Sequence, residues 1–540
     1  MYDLHSILIQ LKKEDTPLHG VMVRCVRCFY QWLDPTLWEG SALFELWAQE
    51  LELIYGDLRQ RLSPNAKTDA GSLGDRFGFD TPPELPRLLQ SIQTFYSVLI
   101  KFIAWNTLRG ATPEPPLTEL FSGRAFVNRG IRNFCGDDWY IWPLDIWDPA
   151  LETQCEELRA CLESFDTCPE GSTLSPDSLS RIYETVVPPA LRHALGEYYT
   201  PGWLAERTLQ NAVSASGRQA GDLRFLDPAC GSGVFLIQAL RMIRADTPQG
   251  PPLSDQVAGF DLHPLAVLTA KVNYLAVMAC QPLPEAGLFL PVYRYDALNI
   301  PILRGDTLVI DTGCGLVCDV PLSLCRQAVE MRPDPEEFLS MPEARGLLTS
   351  LPPNGRLLLA GILLNRIWAF FHQKADIVMG NPPWVNWEYL SPRYRAGSQH
   401  LWGEYGLLQV KAPGSVFPRR MCLPCSPVPR WTAFSSPVGA SVLSCGRPPS
   451  APPRTAPDSG GFIWTAPVWI FGCWRWKTLA ASGPLTGSVP LLRWYSSSGM
   501  PATFSLSPTG TGRQGPASGG RSGHRTRRLP PFFPLCGWRT

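Results

Sequence analysis

The chain has 540 residues with 48 acidic and 48 basic side chains, so its length allows several domains and its average charge excludes a uniformly basic polyanion binder. The average is a cancellation: residues 1–410 hold 33 Lys and Arg against 47 Asp and Glu, whereas residues 411–540 hold 15 against a single acid, Asp458. An apolar share of 45% excludes wholesale disorder of the first part. No apolar run approaches the roughly 20 residues that span a bilayer, and the start MYDLHSILIQLKKED lacks a signal-type apolar core, so the expectation is a cytoplasmic protein with no membrane part.

Apolar residues recur at helical spacing through CVRCFYQWLDPTLW, ALFELWAQELELIYGDLRQRL and LPRLLQSIQTFYSVLIKFIAWNTL, and again through ALETQCEELRACLESF and SLSRIYETVVPPALRHALG. Residues 1–180 therefore read as a helical N-terminal region. It contains no Glu-x-Lys, the usual core of a magnesium nuclease site, so no fused nuclease is expected there. Cys25 and Cys28 form one C-x-x-C and Cys422 and Cys425 another, but the pairs stand far apart in pieces of unlike composition, and no metal site is expected.

From residue 181 to 409 short apolar strands alternate with amphipathic helices: LRFLD then GVFLIQALRMIR, QVAGFD then PLAVLTAKVNYLAVMA, then VYRYDAL. This alternation predicts an α/β domain with a parallel sheet covered by helices, interrupted by an insertion at about 300–355 and resumed by GRLLLAGILLNRIWAFFHQ and ADIVMGNPPW. Beyond residue 410 the periodicity stops. Pro, Gly and Ser supply 53 of the 130 residues of 411–540, yet that stretch also carries seven Trp and five Cys, which a disordered tail lacks. The combination is what a GC-rich gene read out of frame gives, and 410–540 is expected to be an unfolded tail. A basic Pro-rich arm is the competing reading, weakened by arginines that cluster only in RSGHRTRR.

Three strand ends carry the chemistry. FLDPACGSGVFL places Asp227 at the end of a strand and Gly231 and Gly233 in the turn that opens a helix, where an open parallel sheet has its ligand crevice. Asp261 ends the next strand, where a carboxylate can accept from two ribose hydroxyls, or cap the helix that follows. Asp296, in VYRYDALN, is suitably placed to accept from an adenine amino group, with capping again the bland reading. Asn381-Pro382-Pro383-Trp384 follows the fourth strand: the Asn side-chain carbonyl and the Pro382 carbonyl can accept from one amino group, the prolines stiffen the turn, and Trp384 offers a flat face to a planar base extruded from a duplex.

In family order, GEYYTP at 196–201, DPACGSG at 227–233 and NPPW at 381–384 resemble the N6-adenine DNA methyltransferases of restriction-modification systems, type I modification subunits and type IIG enzymes in particular. The resemblance covers roughly residues 180–405. It implies a Rossmann-like domain that uses S-adenosyl-L-methionine and acts on double-stranded DNA, with a separate nuclease or specificity subunit as a further partner. By the same resemblance Tyr199 and Thr200 hold the methionine end of the cofactor, and Asp227 holds its amino group with Gly231 and Gly233 beside it. Asp261 then holds the ribose, Asp296 the adenine, and Asn381, Pro382 and Trp384 the target base. The family's remaining sheet strands and target-recognition region follow NPPW, whereas only about 25 plausible residues do here, so the activity of this chain is an open expectation. An N5-glutamine protein methyltransferase, which shares an N-P-P turn, and a non-catalytic frameshifted remnant are the alternatives.

Overall fold

A computed structural model describes residues 2–34, 74–108, 113–165, 178–187, 200–246, 256–278, 287–313, 316–348, 353–372, 375–382 and 390–404, with the backbone of four short strands between 435 and 504. The chain divides into two compact units, Met1–Ala480 and Ala481–Thr540.

The first unit begins with helices whose ends are written in the sequence. Helix α1 (Leu4–Lys12) starts at Asp3, whose carboxylate accepts from the His5 and Ser6 N–H groups, and α2 (Pro17–Trp32) starts at Thr16 with proline in its first turn. Helix α3 (Leu85–Leu108) is buried along nearly its whole length and forms the middle of this region. Two short helices (Leu117–Ser122 and Arg124–Asn128) and a 3-10 helix (Trp139–Ile146) follow, and then α4 (Pro149–Glu163) and α5 (Ser178–Val186). ALFELWAQELELIYGDLRQRL and most of GEYYTP lie outside the described residues. Cys25 is buried and Cys28 half-buried, and burial pushes the Cys28 thiol up to about 11.

The sheet follows. Helix α6 (Gly202–Ser216) leads to β1 (Phe225–Asp227), α7 (Val234–Asp246), β2 (Val257–Asp261), α8 (Pro264–Met278) and β3 (Val292–Arg294). Next comes a three-stranded antiparallel sheet of β4 (Ile302–Arg304), β5 (Thr307–Asp311) and β6 (Val317–Pro321), then α9 (Leu322–Met331) and two short helices. Helix α10 (Pro353–Phe371), β7 (Ala375–Val378) and α11 (Pro392–Glu404) return to the main sheet. Its order is β3-β2-β1-β7-β8-β9, all paired parallel, with β8 (Ser435–Leu443) and β9 (Ile470–Phe471) at one side. β1 lies between β2 and β7, so successive strands run outward on one side of it and resume on the other; the crevice outside the carboxyl ends at such a reversal is where an open α/β sheet takes its ligands.

The stretch expected only as an insertion is thus a sheet with its own inward face, Leu308, Ile310, Cys318 and Val320, followed by helices. In the tail expected to be unfolded, the structure describes β8 and β9 and, in the second unit, a hairpin of β10 (Leu492–Tyr495) and β11 (Pro501–Phe504); the rest of that expectation lies outside the described residues.

Within the first unit the helical region and the sheet share one apolar core and a seam of buried charge. Lys101 of α3 pairs with Asp138 at 2.6 Å and donates to the Phe121 carbonyl at 3.0 Å. Lys271 of α8 donates to the Asn133 carbonyl at 2.7 Å and pairs with Asp137 at 3.5 Å. The Asn133 amide brackets Leu290, donating to its carbonyl at 2.7 Å and accepting from its N–H at 2.9 Å, which fastens the loop to the strand leading into β3.

Candidate active site

Asp227 closes β1 with its side chain 1% exposed. Oδ1 accepts from the Ala229 N–H at 3.1 Å, while the buried Oδ2 has no hydrogen-bond partner. Burial pushes this carboxyl well above the usual carboxylate range, and nearby Asp261 adds to the effect. The chain leaving β7 crosses directly over it: a Cβ on Gly380 would stand 2.5 Å from Asp227 Oδ1, so a residue without one is needed for the approach. That approach carries Asn381 and Pro382 to the same end of the sheet as Asp227. The Met379 N–H donating to the Leu226 carbonyl at 2.9 Å fixes the register.

The two motif glycines divide their work. Gly231 has φ +54° and open space where a Cβ would point, whereas Gly233, at φ +83°, lies 3.1 Å by that measure from the Ala270 methyl of α8. Gly231 leaves room above the turn and Gly233 lets α7 and α8 close together. Asp261 spans the two strand ends, Oδ2 accepting from the Gly231 N–H at 2.8 Å and Oδ1 from the His263 N–H at 2.8 Å. Burial raises its carboxyl too. The helix cap, the alternative reading of Asp261, is made by His263, whose Nδ1 accepts from the Leu265 and Ala266 N–H groups at 3.0 and 3.4 Å. Burial lowers that imidazole to about 3, with Arg294 adding to the shift, so it stays neutral and keeps its acceptor.

Asp296 sits two residues past β3, 9% exposed, with Oδ1 accepting from the Leu298 N–H at 2.9 Å and from the Tyr394 hydroxyl at 3.4 Å. Burial raises its carboxyl, and the Arg366 guanidinium pulls the other way. Asp227, Asp261, Asp296, Gly231, Asn381 and Pro382 therefore all belong to the carboxyl edge of the four strands β3-β2-β1-β7. Thr200 is half-buried just before α6; Tyr199, Pro383 and Trp384 lie outside the described residues.

Four supporting residues have no motif to announce them. Ser180 of α5 donates to Ser232 in the glycine turn at 2.7 Å, and Asn273 of α8 donates to the Ser232 carbonyl at 2.8 Å, so the turn is held from the helical region and from the sheet's own helix. Arg366 and Tyr394 face Asp296 from α10 and α11. Among the described residues no group of three or more His, Cys, Asp or Glu side chains could hold a metal, and no helix is long and apolar enough to cross a membrane.

Residues 174–277, the stretch from α5 through α8, match the family described as N-6 DNA methylase. This segment of the chain is similar to that family. A search of curated proteins finds no match. Among solved structures, the chain is similar to DrdV in its DNA complex, with 12% identity, a TM-score of 0.34 and coverage of 70% of this chain and 33% of that one. It is also similar to a modification subunit of a putative type I restriction enzyme from Vibrio vulnificus YJ016, with 15% identity, a TM-score of 0.23 and coverage of 68% and 60%. The type IIL restriction-modification enzyme MmeI in complex with DNA shows 15% identity, a TM-score of 0.25 and coverage of 72% and 46%. The chain thus spans between a third and three fifths of the length of these three proteins. These likenesses are distant, and the match over 174–277 is the similarity to a family.

Proposed function

We propose that the chain binds S-adenosyl-L-methionine at the ends of β1, β2 and β3 and transfers its methyl group to the N6 of an adenine extruded from double-stranded DNA, as part of a restriction-modification system. The observation that carries this reading is the convergence of two buried carboxylates, Asp227 and Asp296, the half-buried Asp261 and the Asn381-Pro382 turn on one edge of the sheet, over open space at Gly231. The orphaned Asp227 Oδ2 fits an ammonium donor and the cradle over Gly231 fits a ligand lying close to the backbone.

In this reading Asp227 accepts from the cofactor's amino group, Asp261 from the ribose hydroxyls and Asp296 from the adenine amino group, with Tyr199 and Thr200 at the methionine end. The cofactor, when bound, supplies a methyl group on a positively charged sulfur that departs readily. Asn381 and the Pro382 carbonyl accept the target amino hydrogens, which raises electron density on that nitrogen and aligns it for an in-line transfer. Pro383 stiffens the turn and Trp384 stacks on the extruded base, offsetting an unstacking cost of about a few kcal/mol. A separate nuclease or specificity subunit completes the system.

We further propose that residues 410–540, in which the structure describes four short strands, are read out of frame. The 540-residue chain is then expected to transfer methyl groups poorly, because its first 410 residues carry an excess of 14 acids (47 less 33), which works against gripping a polyanion. The test is incorporation of tritiated methyl into duplex DNA by the chain as it stands and by a version with the downstream frame restored. Activity should appear in the restored chain and vanish with Asn381→Ala. Sequence-specific methylation by the unrepaired chain would refute the reading of the tail; a restored chain that methylates a release-factor glutamine and not DNA would refute the substrate.

A further inference from the structure

Arg366 is a buried cation that acts on Asp296 and has no role in the reading above, on which the following inference rests. Its side chain is 2% exposed, its Nε and Nη1 have no hydrogen-bond partner, and its guanidinium stacks 5.5 Å over the Tyr295 ring, one residue before Asp296. The neighbouring Asn365 fixes the helix there: Oδ1 accepts from the Arg294 N–H at 3.1 Å and Nδ2 donates to the Gly361 carbonyl at 2.8 Å, so α10 is pinned to the end of β3. A guanidinium is always charged, and one held in a dry site without a carboxylate at bonding distance imposes a positive potential on whatever lies beside it. Beside it lies Asp296.

We propose that Arg366 is a positioning residue for the nucleoside pocket, holding Asp296 ionised so that its carboxylate accepts from the exocyclic amino group of an adenine. A protonated Asp296 would offer its own hydrogen and turn the preference towards a 6-oxo purine. The groups facing Asp296 are Arg366 from α10, the Tyr394 hydroxyl from α11 and the N–H groups of Leu298 and Asn299 from its own loop, and burial works against them. The sign follows: binding of an amino purine weakens as pH falls through the Asp296 value, and removing Arg366 moves that fall to higher pH.

The test is calorimetric titration of the full chain with S-adenosylhomocysteine and with its 6-oxo counterpart S-inosylhomocysteine, across a series of pH values. Arg366→Gln is expected to lower affinity for the adenosyl ligand about tenfold at neutral pH, to narrow the preference over the inosyl ligand and to raise the pH midpoint. Arg366→Lys, which keeps the charge, should restore the midpoint. Tyr394→Phe, which removes one donor to the carboxylate, should raise the midpoint by less. A structural role alone would lower the melting temperature of Arg366→Gln and leave ligand preference and midpoint unmoved, and that result overturns the inference. A wild-type chain that binds neither ligand overturns it together with the cofactor reading; a wild-type chain that binds the adenosyl ligand with variants unchanged overturns the inference alone.

Discussion

Two regions of the first unit bury charge, and they do it oppositely. Along the seam between the helical region and the sheet, Lys101 meets Asp138 at 2.6 Å and Lys271 meets Asp137 at 3.5 Å, and backbone carbonyls take further ammonium protons. At the carboxyl edge of the sheet, the buried Asp227 and Asp296 and the half-buried Asp261 have backbone N–H groups and one tyrosine as hydrogen-bond partners, and among the described residues none has a cation within ion-pair distance. Burial raises all three carboxyls. A charge matched inside the chain holds the chain together, whereas one left unmatched is a standing demand for a ligand.

The contrast is breakable at both ends. The largest effect should come from the seam: Lys101→Met leaves Asp138 buried beside no cation and should destabilise the chain by about 3–5 kcal/mol in denaturant melts. A loss below about 1 kcal/mol would mean that the seam is not a lock. At the edge the same type of change should run the other way. Asp227→Asn removes a buried carboxyl whose ionisation nothing in the protein compensates, so its melting temperature should rise by a few degrees while affinity for S-adenosylhomocysteine drops about tenfold to a hundredfold.

The pH dependence sharpens this further. A carboxyl raised on folding makes the folded chain bind more protons than the unfolded chain between its unfolded and folded values, so stability should fall as pH rises from the ordinary carboxylate range through the raised one. Denaturation of the ligand-free protein at stepped pH should show that fall, and Asp227→Asn should flatten part of it. The smallest effects separate the two glycines. Gly233→Ala, strained and set against Ala270, should lose stability of about 1–2 kcal/mol or more, while Gly231→Ala should lose about as much from strain alone but also reduce cofactor affinity by filling the open space.

Much of this edge was legible in the sequence because strand, acid and glycine turn are consecutive there: FLDPACGSG names a place in the fold as well as a chemistry. The helix 85–108 was equally plain from its apolar spacing, and 264–278 from a long apolar run after a strand. The insertion was not, because the inward alternation of TLVID and VCDVP is split by a glycine turn and closed by a proline, and each run is too short to outweigh the breakers beside it. Ser180, Asn273, Arg366 and Tyr394 were invisible for another reason: each acts through a residue far away along the chain, and only packing brings them together. His263 illustrates the limit within a motif, since a histidine as helix cap is uncommon and the aspartate two residues earlier is the more usual choice.

The pairing of β1 with β7, Phe225 opposite Ile377, joins residues about 150 positions apart. During synthesis the central strand emerges with β2 and β3 following soon after, but its other flank stays open until the ribosome has added the whole antiparallel insertion and α10. At about 5–20 residues per second that exposure lasts for seconds to tens of seconds, long enough for a neighbouring chain to add its own strand to the unfilled edge. The timetable of translation, as much as the finished packing, then decides how much of this protein a cell recovers in usable form.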